Sequence, residues 1–170
     1  FNTNRSCYVA NHDHKTTSSE VSSFNLNKPS NFMETQGGAY RVVPFNFESP
    51  NHTARQLISN PENATASPKG WHDTNTSTGN FATNKFTYTR GNNVWARADY
   101  DNTNPTTHNT TSTSTGFAPD GGSTLNFDFP YGGNSVVANT YISAATTNLF
   151  YMNNIMHDVW NFHGFNAANG

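Results

Sequence analysis

Seven histidines, one cysteine and eleven acidic residues are the side chains from which this 170-residue chain could build a metal site or a nucleophile–base pair. The histidines are His12, His14, His52, His72, His108, His157 and His163. A helical zinc site of the His-Glu-x-x-His type needs two imidazoles four residues apart, with the glutamate activating a bound water. No histidine pair here has that spacing. His157 and His163 are six residues apart, about 600° of helical rotation, so they leave the helix in different directions. The residues present therefore spell out no zinc ligand set. His157-Asp158 is the most chemical-looking pair of the C-terminal segment. It reads either as a histidine supporting a substrate site from behind, or as a partly buried structural histidine bonded to a neighbouring loop, and the second reading is favoured. Asp99-Tyr100-Asp101-Asn102-Thr103-Asn104 alternates oxygen-bearing side chains, as a hard cation requires. It lacks the glycine and closing glutamate of an EF-hand, so Asp99 and Asp101 are calcium candidates beside the plainer reading as an acidic turn. Trp71-His72-Asp73-Thr74-Asn75 looks like a fragment of a metal site or a triad, but no Gly-x-Ser-x-Gly elbow accompanies it. Trp71 is expected to pack at the edge of a loop, with the polar residues bonding backbone groups. Cys7 has no internal partner, which leaves a free thiol or a bridge to another chain.

The chemistry of the surface is unusual. There are 27 Asn, 23 Thr and 15 Ser, while charged residues make up only 12%. Five Asn-x-Ser/Thr sequons, at Asn4, Asn51, Asn63, Asn75 and Asn109, are glycosylation candidates. Net charge is −2, and no Lys or Arg follows Arg97. That balance offers no footprint for nucleic acid and no polybasic membrane anchor. No apolar run approaches the 18 or so residues of a membrane span. Aromatic residues, at 14%, are too frequent for a solvated coil. The chain begins at Phe1 without a signal-peptide pattern, so it is expected to be a processed or excised piece from an extracellular setting.

The elements that must position these residues follow from the patterning. Residues 1–38 are polar and irregular and close on Gly37-Gly38, an arm or propeptide remnant ahead of a domain at 39–170. Ala39 to Phe45 is a strand signal that Pro44 ends. Ala54 to Ile58 reads as a helical turn or a strand. Phe86 to Ala98 reads as a β block broken by Arg90-Gly91-Asn92-Asn93, where positive φ and a tight hairpin or bulge are expected. Residues 102–116 form a low-complexity surface loop, and Leu125, Phe127 and Phe129 alternate as in a strand. From about 138 to 163, Tyr141, Ala145, Leu149, Met152, Met156, Val159 and His163 recur at helical spacing, and Gly164 fits the stop. The fold class expected is α+β, a β-rich layer with long loops followed by one long helix.

Several of these stretches, in order, resemble one family. They are Glu48-Ser49-Pro50-Asn51-His52, Asn60-Pro61, Ala66 through Asn75, Tyr88-Thr89-Arg90-Gly91-Asn92-Asn93-Val94, Phe127-Asp128-Phe129-Pro130, Thr147 through Asp158, and Gly164-Phe165. Together they are similar to the secreted fungalysin-type metallopeptidases, with a more distant likeness to thermolysin-like enzymes. The resemblance implies a zinc endopeptidase made as a zymogen with an inhibitory propeptide. It also implies that this chain corresponds to the N-terminal lobe, with the zinc-binding helix and the third, glutamate ligand downstream. Residues 1–38 do not share in it.

Two expectations follow. One is the N-terminal, non-zinc-binding part of a secreted metalloendopeptidase, inactive by itself, whose aromatic helix is covered by the remainder of the domain or by a second chain. The alternative is an inactive glycosylated extracellular structural or assembly subunit, able to self-associate. A carbohydrate-binding role for Trp71, Trp95 and Trp160 is a lesser reading, because core packing explains such residues equally well.

Overall fold

The computed structural model describes residues 37–73, 85–133, 135–166 and 168–169. Residues 1–36 of the arm expected at 1–38, with Cys7, and the sequons at Asn4 and Asn75 lie outside the described residues.

The sheet has three strands, β1 (Ala39–Val42), β2 (Gln56–Ser59) and β3 (Asn126–Phe127), in the order β2-β1-β3. In β1, Tyr40 and Val42 are buried while Ala39 and Arg41 are half-exposed, the period of two that places alternate side chains on opposite faces. β1 runs antiparallel to β2, with Ala39 opposite Ser59 and Val42 opposite Gln56. It runs parallel to β3, with Tyr40 opposite Phe127. The Leu125-Phe127-Phe129 alternation holds in burial, although only two residues of it pair as a strand. On the outer face of the β1–β3 pair, Arg41 makes a two-pronged contact with Asp128, Nε to Oδ1 at 2.8 Å and Nη2 to Oδ2 at 3.0 Å. That contact raises the guanidinium pKa and lowers that of the carboxyl.

The expected β block at Phe86–Ala98 is not a continuous strand. It is held by the isolated antiparallel bridges Tyr88–Asp120 and Arg90–Trp95. The turn at Gly91 does form, closed by the Gly91 N–H on the Val94 carbonyl at 2.8 Å, but no residue from Arg90 to Asn93 has positive φ. Gly91 serves a different purpose. A β-carbon there would overlap the Trp71 carbonyl oxygen, so glycine is needed because two backbones meet.

A 3₁₀ turn at Ala138–Tyr141 leads into α1 (Ile142–Phe162), about 31 Å of helix. Its stop is the one the sequence suggests. Gly164 has φ +90°, the Phe165 N–H bonds the Trp160 carbonyl, and the Gly164 N–H bonds the Asn161 carbonyl. These are the two bonds of a Schellman motif, and the Phe165 and Trp160 rings meet edge to face at 5.1 Å, the apolar contact that accompanies it. The buried face of α1 differs from expectation. Ala144, Thr147, Phe150, Tyr151, Asn154, Ile155 and Asp158 face inward. Leu149 and Met156, from the anticipated core stripe, are 51% and 49% exposed. The inward face carries a polar row, Thr147, Asn154 and Asp158, which a search for apolar periodicity passes over.

The core joins the sheet to the helix. Tyr40, Val42, Trp71, Ala96, Leu125, Phe127, Phe150, Tyr151 and Ile155 form one cluster. Tyr40 is its centre, stacked on Phe127 at 5.3 Å and tilted against Trp71 at 5.5 Å.

Candidate functional site

Asp158 is the polar centre of the structure. It lies four helical residues beyond Asn154 on the inward face and is 2% exposed. The loop from Asn63 to Trp71 closes over it. Its Oδ1 accepts the Ser67 hydroxyl at 2.6 Å, and its Oδ2 accepts the Asn63 backbone N–H and the Trp71 indole N–H, both at 3.0 Å. These three donors replace the water that burial takes away from the carboxyl oxygens. The loop is shaped to deliver them. Asn63 Oδ1 accepts the N–H groups of Thr65 and Ala66, an Asx turn that starts the loop, and Gly70, at φ +74°, lets it swing Trp71 inward. Trp71 is thus a central core residue rather than a packing residue at a loop edge.

His157, the neighbouring helical residue, places Nδ1 3.0 Å from Asp158 Oδ1 and 3.3 Å from Asn93 Nδ2. The first bond needs the proton on Nδ1 and the second needs it on Nε2, so the two are alternatives. A serine, a histidine and an aspartate therefore meet here, but in an order that does no nucleophilic chemistry. In a catalytic triad the histidine stands between the other two. Here Ser67 and His157 both attach to the aspartate, and the Ser67 proton is already donated to it.

His72 belongs to a second buried polar pair. Its Nδ1 lies 3.0 Å from the Tyr88 carbonyl and its Nε2 2.8 Å from the Tyr40 hydroxyl. A carbonyl only accepts, so Nδ1 carries the proton and Nε2 accepts from Tyr40. Burial pushes the imidazole pKa down to about 4, against a smaller upward pull from backbone carbonyls, and pushes the Tyr40 phenol well up. Both groups are neutral at pH 7, and they lock the ring stack of Tyr40, His72 and Phe127.

The other sequence candidates lie apart. Asp99 accepts the Thr103 N–H at 3.1 Å, and Asp101 accepts the Thr103 hydroxyl at 2.7 Å, so both carboxylates engage their own turn. Asn51 is exposed, while Asn63 and Asn109 are half-exposed and both use Oδ1 in Asx turns. Among the described residues no three His, Cys, Asp or Glu side chains gather as a metal site. An open groove of about 890 Å³ lies beside the Asp158 cluster, between the Ser67–Gly70 loop, the Asn92–Asn93 turn and the end of α1, with His157, His163 and Phe165 on its wall. The sequence marked His157 and Asp158 but not Ser67, Asn63 or Trp71 as their partners. The readable signal was the helical row Thr147, Asn154, Asp158; nothing local ties it to a loop some 90 residues away.

The sequence that builds this arrangement matches a known family. The family model of the fungalysin metallopeptidases (M36) matches residues 39–170, and the chain belongs to that family. Extracellular metalloproteinase 1 of Phaeosphaeria nodorum is 33% identical over 131 residues, which cover 77% of this chain and 18% of that protein. Extracellular metalloproteinase 5 of Arthroderma otae and extracellular metalloproteinase 1 of Trichophyton rubrum are each 34% identical with the same coverage. The chain spans 18% of the length of these curated relatives, so it corresponds to one part of a larger peptidase.

Proposed function

We propose that this chain is the N-terminal, non-zinc-binding portion of a secreted zinc metalloendopeptidase, a scaffold on which a zinc-bearing segment completes the active site. The observation that carries this reading is the family match together with the uncovered helix face. Leu149, Met156, Trp160 and Phe165 are 51%, 49%, 48% and 73% exposed along one side of α1 and its cap, an apolar seam suited to the rest of a peptidase domain. The extracellular names of the relatives support secretion. Among the described residues no helix is long and apolar enough to cross a membrane.

Zinc in such an enzyme activates water for attack on the peptide carbonyl. The described residues do not fit a zinc site, because no three potential ligands converge. What this chain contributes is position: Asp158 fixes the Trp71 loop to α1, and the neutral His72–Tyr40 pair fixes the sheet beneath it. The alternative, an inactive glycosylated assembly subunit, would bury the same seam by self-association. The test is hydrolysis of casein by this chain and by a longer product of the same gene. We expect none from the chain alone, and chelator-sensitive hydrolysis from the longer product. Chelator-sensitive hydrolysis by the 170-residue chain itself would overturn the reading.

A further inference from the structure

The segment 86–97 carries a stack of planar side chains that the Asp158 cluster and the core do not use. Arg90 Cζ lies 4.5 Å from the Phe86 ring centroid and 4.2 Å from that of Trp95. Arg97 Cζ lies 4.0 Å from the same Trp95 centroid. Trp95 thus lies against both guanidiniums, and Arg90 lies against both Phe86 and Trp95. The order is Phe86, Arg90, Trp95, Arg97. The backbone dictates it: the Arg90–Trp95 bridge sets those two side by side, and Arg97, two residues on, returns to the Trp95 side.

Both arginines are half-exposed. Arg41 is neutralised by Asp128 and Arg55 donates to the carbonyls of Phe129 and Arg41. Arg90 and Arg97, by contrast, have no carboxylate within ion-pair distance among the described residues. Arg97 spends one N–H on Asn104 Oδ1. A guanidinium stacked against a ring presents its N–H edge outward, and part of its side-chain freedom is already lost, so binding costs less further ordering. The 4.2 and 4.0 Å distances to one centroid place the two Cζ atoms no more than about 8 Å apart. Two like charges fixed at that separation favour a ligand with two anionic groups at similar spacing.

We propose that this ladder recognises an acidic polypeptide segment in extended form, with carboxylates two residues apart. Alternate side chains of an extended strand are about 6.8 Å apart, and two-pronged arginine–carboxylate contacts close the remaining distance. A neutral sugar is disfavoured, because two guanidiniums already lie against the Trp95 ring. Nucleic acid is disfavoured by a chain of net charge −2.

The test is fluorescence anisotropy on the intact protein with a labelled peptide containing Glu-Ser-Glu, against its Gln-Ser-Gln counterpart. We expect the acidic peptide to bind at least about tenfold more tightly at low salt, with the advantage shrinking as salt rises. Arg97→Gln should abolish the preference. Arg97→Lys, which keeps the charge and loses the planar fork, should weaken it several-fold while preserving the fold. Arg41→Gln should leave it unchanged. Equal binding of the two peptides, a preference untouched by both Arg97 variants, or capture of a sulfated polysaccharide in place of the peptide would each overturn the proposal.

Discussion

Acidification should loosen this protein through one residue. The His72 imidazole is neutral inside the fold with a pKa of about 4, against an ordinary 6.5. Below pH 6.5 the unfolded chain takes up a proton that the folded chain refuses until about pH 4. The stabilisation is therefore complete above pH 6.5 and is lost as the pH falls towards 4. At about 1.4 kcal/mol per pH unit across that interval, the loss comes to about 3 kcal/mol. Carboxylates also titrate in acid, so the measurement is a difference. His72→Phe keeps a ring beside Phe127 and Phe150 but cannot titrate, and it leaves the Tyr40 hydroxyl and the Tyr88 carbonyl without their partner. Urea unfolding at pH 7 should show the variant less stable by about 2–4 kcal/mol, the cost of two buried groups left unpaired. Between pH 7 and pH 4 that gap should shrink by about 3 kcal/mol. A gap that stays constant or widens on acidification would refute the argument. So would an imidazole NMR titration of His72 centred near its ordinary value.

Other perturbations probe the remaining joints. Asp158→Ala leaves the Ser67 hydroxyl, the Trp71 indole N–H and the Asn63 N–H buried and unpaired, and should cost about 3–5 kcal/mol in urea unfolding. Asp158→Asn should cost less, because its amide oxygen still accepts from one or two of them. Gly91→Ala should destabilise by about 3 kcal/mol or more, since backbone and not a flexible side chain occupies the space, and a thermal melt would register it. Leu149→Glu, on the exposed seam and away from the helix ends, should leave the melting temperature of this chain nearly unchanged. The same change should reduce the yield of folded longer product, as measured by soluble expression.

The strands were readable where a single period governed them. Tyr40 and Val42 alternate with Ala39 and Arg41, and Leu125 and Phe127 with Asn126 and Asp128, because one side of each strand meets the core. The stop at Gly164 was readable too, since a left-handed residue at a helix end has a strong residue preference. The inward face of α1 was not. The helix has apolar residues on two sides, one packed on the sheet and one open. Periodicity selected a stripe that straddles the two, with Met152 and Val159 against the core and Leu149 and Met156 open, because the packed side is interrupted by Thr147, Asn154 and Asp158. The expected β block failed for a related reason: Phe86, Tyr88 and Arg90 share a face, yet they face a ladder of side chains and two isolated bridges instead of a neighbouring strand. The partners of Asp158 could not be read at all, because a hydrogen bond spanning nearly 90 residues leaves no local mark.

The parallel pairing of β1 with β3 also bears on the order of assembly. β1 and β2 lie within 21 residues of chain, Ala39 to Ser59, and can pair as soon as both exist. β3 joins only after more than 80 residues of intervening chain have been brought round, and that long closure brings only two paired residues of its own. Trp71 waits longer still, because the acid that receives its indole N–H lies on α1, the last of the described elements in chain order. During synthesis, therefore, the β1–β2 hairpin precedes the rest, and the Trp71 loop stays open to solvent and to chaperones until α1 emerges.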